Sequence, residues 1–244
     1  MTRPLPSTFF LASVRSVEEA LLCVRAGADV IDCKDPDQGA LGALPTDVVR
    51  AIRHALPDNV TVSATVGDLV PDTTAMASAV AAMAATGVDY VKIGIFPGGD
   101  AKGMLKALAP GIFHKARLVG LLLADRDPDF SLIDDMAEVG FAAVMLDTAV
   151  KSGGALPDVM DGARLQSFVT AAQRAGMLAG LAGSLRLKHI APLLTLKPNL
   201  LGFRGALCSA GDRRGVLDRA AISQVRAAIP LALSTIGSHQ KVLS

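Results

Sequence analysis

The sequence predicts an α/β protein built as a single (β/α)8 barrel, a TIM barrel, on three observations. Eight short apolar segments alternate with helical patterns along the 244-residue chain. Most of these segments are continuous apolar runs, which is typical of strands that helices cover on both faces. No composition shift or linker divides the chain, and one such barrel commonly has this length. We therefore expect one catalytic domain over residues 1–244, in which residues 1–8 form an N-terminal extension.

The eight predicted strands share short length and a high content of β-branched and other apolar residues. They lie at Phe9–Ser13, Asp29–Cys33, Val60–Thr65, Tyr90–Ile93, Leu118–Leu123, Ala142–Leu146, Leu178–Leu181 and Leu200–Phe203.

The segments between the strands carry helix signals. Ser16 with Glu19 three residues later is a capping box, and an apolar stripe at helical spacing follows it. A glycine ends several predicted helices directly before the next strand. These glycines are Gly27, Gly87, Gly140 and Gly176. The repeated turn favours a closed ring over an open doubly wound sheet, which would normally carry a glycine-rich loop after its first strand.

Composition and charge argue against several classes of partner. The net charge is +1 with both signs interspersed, and the single tyrosine offers no base-stacking platform, so we expect no nucleic acid. The longest uncharged run, Thr73–Val88, is shorter than a membrane span, so we expect no membrane. Three cysteines without a CxxC pair are typical of a reducing cytosol, and a cytoplasmic location follows.

Charged residues lie at the ends of alternate predicted strands, where barrel enzymes place their active sites. Asp32 and Lys34 are two residues apart in the second strand and share a face. Lys92 interrupts the fourth strand, Asp147 ends the sixth, and Lys151 lies in the loop after it. Because alternate strands fill the same interior layers, we expect these five side chains to converge on one mouth of the barrel.

A less specific interpretation exists for each placement alone. Lys92 could face solvent or pair with a nearby acid, and Asp32 with Lys34 could form a surface ion pair. Three such placements together favour catalysis. Desolvation and neighbouring cations lower the pKa of an amine, which can then attack a carbonyl to form a Schiff base. Aspartates can shuttle protons, and the other ammonium groups can bind phosphate.

A phosphate site is predicted at the seventh and eighth strands. Gly183 and Ser184 follow the seventh strand at the start of a helix, and Arg204 and Gly205 follow the eighth. Barrels often bind phosphate with these two loops and a helix N-terminus. We assign Ser13, at the end of the first strand, to the same site. Ordinary helix capping by Ser184 and a tight turn at Gly205 are the alternative.

The histidines and cysteines do not point to chemistry. His54, His114, His189 and His239 are all predicted in helical or terminal segments, which argues against a triad or a histidine-rich metal site. The thiol of Cys33 should point outward, opposite to Asp32 and Lys34, and Cys208 is interpreted as a buried structural thiol.

Several segments together resemble the (5-formylfuran-3-yl)methyl phosphate synthase family. The most specific is the Asp-x-Lys-x-Pro stretch with its glycine-rich tail, and the resemblance covers nearly the whole chain. The matching segments are Phe10–Val14, Val17–Ala20, Gly27–Pro36, Gly39–Ala43, Gly87–Gly94, Met145–Thr148 with Lys151, Leu181–Leu185 and Phe203–Cys208.

The resemblance implies a lyase of methanofuran-type cofactor biosynthesis. The family condenses two molecules of glyceraldehyde 3-phosphate into a furan aldehyde phosphate and releases phosphate and water. It assigns catalysis to lysines and aspartates matching Lys34, Lys92, Lys151, Asp32 and Asp147, with Lys34 favoured as the Schiff-base nucleophile. Lys92 is the second choice on other grounds, because an apolar strand lowers the pKa of an amine. It implies no metal or organic cofactor, and the partner is the triose phosphate substrate.

Other functions stay open at this point. A class I aldolase acting on another sugar phosphate would share the lysines and the phosphate loops. A non-catalytic pyridoxal phosphate-binding barrel would copurify with a yellow chromophore, and a catalytically dead scaffold is a third alternative. The sequence also leaves a homo-oligomer open, although we expect the alanine-rich face at Ala75–Ala85 to pack on the barrel.

Overall fold

Eight parallel strands, β1–β8, close into a barrel in which each strand pairs with the next and β8 returns to pair with β1. The predicted (β/α)8 barrel is therefore confirmed. The computed structural model describes residues 8–68, 73–96, 100–109, 113, 115–150 and 153–230.

Every predicted strand is present, and no boundary differs by more than one residue. The strands are β1 Phe9–Val14, β2 Val30–Cys33, β3 Thr61–Thr65, β4 Tyr90–Gly94, β5 Arg117–Leu123, β6 Ala143–Asp147, β7 Leu178–Leu181 and β8 Leu200–Phe203.

Helices connect the strands on the outside of the barrel. The helices are α1 Val17–Arg25, α2 Thr46–Ala55, α3 Thr73–Ala84, α4 Ala101–Ala107, α5 Leu132–Val139, α6 Leu156–Val159, α7 Gly162–Arg174, α8 Leu187–Leu194 and α9 Arg219–Ala228. Short 3-10 turns follow β5 at Ala124–Arg126 and β8 at Gly205–Leu207 and Ser209–Gly211. None of the helices in the described ranges has the length and apolar character needed to cross a membrane.

Successive residues of each strand face two different apolar cores in turn, which explains why the strand sequences are continuously apolar. Ile31 and Val91 point outward and pack against the helices, whereas Val30 and Tyr90 fill the lower barrel interior. Because successive strand residues point to opposite sides, a lysine between two outward residues must point inward. Lys92 is in this position, and the polar upper interior begins with it.

The turns from helix to strand follow the predicted pattern. Gly27, Gly87, Gly140 and Gly176 all have φ between 77° and 93°, the left-handed region that glycine enters without steric cost. The turns place Asp29 and Asp89 where their carboxylates accept backbone N–H groups of neighbouring strands, Phe10 at 2.7 Å and Val62 at 3.0 Å. These contacts anchor the barrel end opposite the active site.

Two other expectations concern the surface. Thr8, assigned to the N-terminal extension, is buried and its hydroxyl donates to the carbonyl of Pro198 at 2.6 Å, while residues 1–7 lie outside the described residues. Helix α3 packs on the barrel through Met76, Val80 and Met83, as expected for its alanine-rich segment.

Candidate active site

A cavity of about 240 Å³ opens at the carboxyl end of the barrel, and it contains most of the predicted site residues. The predicted residues that line it are Ser13, Asp32, Lys34, Lys92, Asp147, Gly183, Ser184, Arg204 and Gly205. Lys151, the remaining predicted residue, lies outside the described residues.

Lys92 and Asp32 form a buried ion pair across β4 and β2. Their closest atoms, Nζ and Oδ1, are 3.0 Å apart, and the side chains are only 4% and 1% exposed. The Asp32 carboxylate also accepts hydrogen bonds from Ser63 at 2.7 Å and Ser13 at 3.0 Å. A buried pair is tolerated when further hydrogen bonds satisfy its charges, and these serines supply them.

Lys34 and Asp147 form a second pair across the cavity, between the ends of β2 and β6. Lys34 Nζ lies 3.1 Å from Asp147 Oδ2, with side chains 11% and 6% exposed. The other carboxylate oxygen of Asp147 accepts the backbone N–H of Thr148 at 2.8 Å. Each lysine thus pairs with an aspartate of a different strand, and the surface pair between Asp32 and Lys34 does not form.

The two lysines occupy different depths. Lys92 also borders a void of about 20 Å³ in the lower barrel, which is lined mainly by apolar side chains such as Leu11 and Val119. Lys34 is more exposed and does not reach that void. Lys92 therefore lies at the floor of the cavity, and Lys34 lies nearer to its opening.

Arg204 is at the cavity wall, but its guanidinium is already fully engaged. Glu19 accepts from Nη1 at 2.5 Å and from Nη2 at 3.1 Å. The remaining N–H groups donate to the carbonyls of Ser13, Arg213 and Gly215 at 3.2, 2.9 and 3.2 Å. Burial works to lower the pKa of Arg204, and Glu19 more than offsets it, so that the pKa is raised.

Direct phosphate binding by Arg204 stays a prediction, and a phosphate would have to replace Glu19 or one of the carbonyl acceptors at the guanidinium. The sequence pointed to Glu19 only as part of the capping box of α1. The Ser16 side chain does accept from the Glu19 backbone N–H at 3.3 Å. The Glu19 carboxylate, however, is occupied by Arg204 and by the backbone N–H of Arg15.

The loops after β7 and β8 bring backbone close to the cavity. Gly183 has φ +105°, and a Cβ there would lie 2.8 Å from Cγ2 of Thr148. Ser184 has φ +48°, an uncommon conformation for a residue with a side chain. At Gly205 a Cβ would lie 3.1 Å from the carbonyl oxygen of Gly211. Neighbouring protein atoms thus fill the space where a side chain at Gly183 or Gly205 would begin, and the main chain of both loops lines the cavity.

Two arginines that the sequence analysis did not select also line the cavity. Arg186 follows the β7 loop and donates to the carbonyl of Gly211 at 2.8 Å. Arg213 lies in the β8 loop, half-buried, and donates to the carbonyl of Gly39 at 3.2 Å. The sequence could have indicated both arginines, because each follows one of the two predicted phosphate loops.

The histidines and cysteines that the structure describes do not contribute to the cavity. His189 accepts the backbone N–H of Arg186 through Nδ1 at 3.1 Å, in the first turn of α8. Cys33 points outward into the core between barrel and helices, and burial raises the pKa of its thiol. Cys208 is buried, as interpreted. Within the described ranges, no three His, Cys, Asp or Glu side chains are placed to hold a metal ion.

Comparison with protein families gives one match that spans most of the chain. The family model described as 4-HFC-P synthase matches residues 10–226. A protein of Methylorubrum extorquens, provisionally named (5-formylfuran-3-yl)methyl phosphate synthase, is 44% identical and covers 88% of each chain. The (5-formylfuran-3-yl)methyl phosphate synthase of Methanothermobacter thermautotrophicus is 34% identical, covering 88% of this chain and 96% of its own.

Solved structures with this fold are more distant in sequence. Phosphoribosyl anthranilate isomerase of Thermus thermophilus superimposes with a TM-score of 0.65 at 16% identity, covering 91% of this chain and 98% of its own. A 3-hexulose-6-phosphate synthase superimposes with a TM-score of 0.62 at 19% identity, covering 91% and 100%. These two similarities support the barrel fold.

Proposed function

The chain belongs to the 4-HFC-P synthase family, and on that premise we propose that it is a (5-formylfuran-3-yl)methyl phosphate synthase acting on glyceraldehyde 3-phosphate. Two triose phosphates would give the furan aldehyde phosphate, one inorganic phosphate and two molecules of water. Carbon undergoes no net oxidation in this equation, so the reaction requires a nucleophile, proton transfer and phosphate binding. The observation that carries the proposal is the presence of one buried and one partly buried lysine–aspartate pair in the same cavity.

Lys34 is the proposed nucleophile, because it is the more accessible lysine and has a single carboxylate partner. Its amine attacks the aldehyde of one triose phosphate, and loss of water gives an iminium. Removal of the proton from the adjacent carbon gives an enamine, which expels the phosphate from the third carbon and leaves an enol. The terminal carbon of this enol adds to the ketone carbon of the second triose phosphate, after that molecule has isomerised to its ketone form. The primary hydroxyl group of the second triose then attacks the carbonyl beside the iminium to close the ring, loss of two molecules of water forms the furan, and hydrolysis of the iminium releases the amine and the aldehyde.

Asp147 is the proposed proton carrier at Lys34. Its carboxylate lies 3.1 Å from the reacting nitrogen, within the range needed for direct proton transfer. The backbone N–H of Thr148 holds the carboxylate in place without competing for the oxygen that faces Lys34.

Lys92 with Asp32 would supply the second acid–base group from the cavity floor. The hydrogen bonds from Ser13 and Ser63 fix the Asp32 carboxylate, and the Asp32 carboxylate in turn orients the Lys92 amine. Ser13 thus supports Asp32 in this proposal rather than binding phosphate. The main chain at Gly183, Ser184 and Gly205 remains the proposed surface for a substrate phosphate.

We also propose that the chain acts as one barrel domain in the cytoplasm. The three cysteines are unpaired and buried, which suits a reducing compartment.

The direct test is to incubate the protein with glyceraldehyde 3-phosphate alone and follow both furan absorbance and inorganic phosphate. We expect a new ultraviolet band, with one phosphate released for each furan formed. Lys34→Arg should abolish both signals, whereas Lys106→Arg, on an exposed helical face, should leave them unchanged.

A flat spectrum from the unsubstituted protein would refute the furan assignment. Consumption of the triose phosphate without a furan band would instead indicate a class I aldolase. A yellow preparation with no turnover would favour the pyridoxal phosphate-binding barrel.

A further inference from the structure

Two cationic side chains that line the described part of the cavity form no ion pair with a described carboxylate. Lys34, Lys92 and Arg204 each pair with an acid at 3.1 Å or less. Arg186 and Arg213 also line the cavity, and neither forms an ion pair within the described ranges. An anionic substrate that enters this cavity therefore meets these two guanidinium groups as its available charge partners.

Of the two, Arg213 is better placed to bind inside the cavity. Arg186 is exposed, so solvent screens its charge, whereas Arg213 is half-buried. Desolvation lowers the pKa of Arg213, and among the charges that oppose this effect Asp147 is the strongest. Arg213, Asp147 and Lys34 line the same cavity.

The Arg213 side chain keeps most of its hydrogen-bonding capacity. Nη2 donates to the carbonyl of Gly39, and this is its one side-chain hydrogen bond to the described residues. A guanidinium has five N–H donors in a planar fork that matches two phosphate oxygens. Asp212, the neighbouring acid at the cavity wall, is exposed and accepts the backbone N–H of Arg214 at 3.0 Å.

The side chain of Arg204, which was predicted to bind phosphate, holds the backbone of Arg213 in place. Nε of Arg204 donates to the carbonyl of Arg213 at 2.9 Å, and Nη2 of Arg204 donates to that of Gly215 at 3.2 Å. Glu19 fixes the Arg204 guanidinium in turn. A binding group that is fixed before the ligand arrives loses less freedom on binding.

We propose that Arg213 binds the phosphate group of the triose phosphate that reacts at Lys34, and that Arg204 with Glu19 is the positioning pair that holds Arg213 at the cavity. The proposal rests on the proposed function for the identity of the substrate. The chemistry it needs, a phosphate dianion meeting a preorganised guanidinium, can be measured without turnover.

The test measures binding of inorganic phosphate by titration calorimetry, in the unsubstituted protein and in Arg213→Ala, Arg213→Lys and Arg214→Ala. Loss of a charged hydrogen-bonding partner should weaken phosphate binding about 10- to 100-fold in Arg213→Ala. Arg213→Lys keeps the positive charge but loses the planar guanidinium, so its phosphate affinity should lie between those of the unsubstituted protein and Arg213→Ala. Arg214 carries the same charge on the next residue but pairs with Asp37 at the surface, so Arg214→Ala should change binding less than about 2-fold.

Equal phosphate affinity in Arg213→Ala and the unsubstituted protein would overturn the proposal. An equal loss in Arg214→Ala would also overturn it, because the effect would then be one of general charge. In turnover, Arg213→Ala should raise the KM for glyceraldehyde 3-phosphate more than it lowers kcat. If phosphate binding depends on Arg213 but the unsubstituted protein forms no furan, the inference stands and the proposed function fails. If Arg213→Ala forms furan with an unchanged KM, the proposed function stands and the inference fails.

The positioning role of Glu19 is tested by a double-mutant cycle. Glu19→Gln should weaken phosphate binding when Arg213 is present and have little further effect when Arg213 is alanine. A purely structural effect on the protein would persist in both backgrounds, and that result would remove the positioning pair from the proposal.

Discussion

Replacing Asp32 by alanine should destabilise the protein far more than loss of a surface acid. The change leaves the Lys92 ammonium, in a side chain 4% exposed, without its carboxylate 3.0 Å away. Ser13 and Ser63 also lose their acceptor. Breaking a buried ion pair from one side costs about 3–5 kcal/mol. In a chain of 244 residues each kcal/mol lowers Tm by about 2–4 °C, so we expect a fall of roughly 6–20 °C.

The assay is thermal unfolding followed by circular dichroism, with two companion variants. Asp37→Ala removes an acid that is 51% exposed and should cost less than about 1 kcal/mol. The double variant Asp32→Ala/Lys92→Met removes both charges and should recover most of the loss, because the uncompensated ammonium is gone. A double variant as unstable as the sum of its single variants would refute this account of the site, as would a fall in Tm no larger than that of Asp37→Ala.

Three further outcomes follow from the described residues. Burial raises the pKa of Cys23 to about 12, so the thiols should react with a disulfide reagent at pH 8 only after unfolding; fast labelling of the native protein would contradict this. Gly183→Ala should cost about 1–3 kcal/mol and reduce turnover, because φ is +105° and Thr148 blocks the new methyl group; unfolding and furan assays check both effects. Burial lowers the pKa of His189 below its usual 6.5, so its stabilising contribution is complete above pH 6.5 and is lost as the pH falls towards its folded pKa. Comparing Tm at pH 7.5 and 5.5 should show a smaller loss in His189→Gln, where the imidazole that accepts from Arg186 is absent.

The barrel and the convergence of its charged residues could be predicted because both depend on local periodicity. A lysine between Val91 and Ile93 must face inward if those neighbours face the helices, and alternate strands bring it to the layer that contains Asp32. The helix-ending glycines likewise specify their own backbone conformation.

The pairing within the site could not be predicted in the same way. Whether Asp32 meets Lys34 or Lys92 depends on the tilt and register of strands around the barrel, which no local pattern contains. Glu19 and Arg204 are 185 residues apart, so the capping pattern of Glu19 gave no sign of its main partner. Arg213 lies in an irregular loop with no periodicity, and only its contacts in three dimensions place it at the cavity.

Trapping with sodium borohydride tests the role of Lys34 most directly. The protein is reduced in the presence and absence of glyceraldehyde 3-phosphate, and its peptides are compared by mass spectrometry. Attack by Lys34 predicts irreversible inactivation that requires substrate, with a triose-derived mass increase on the peptide containing Lys34 and an unmodified Lys92. An adduct on Lys92 alone, or full activity after reduction with substrate present, would contradict the assignment of the nucleophile.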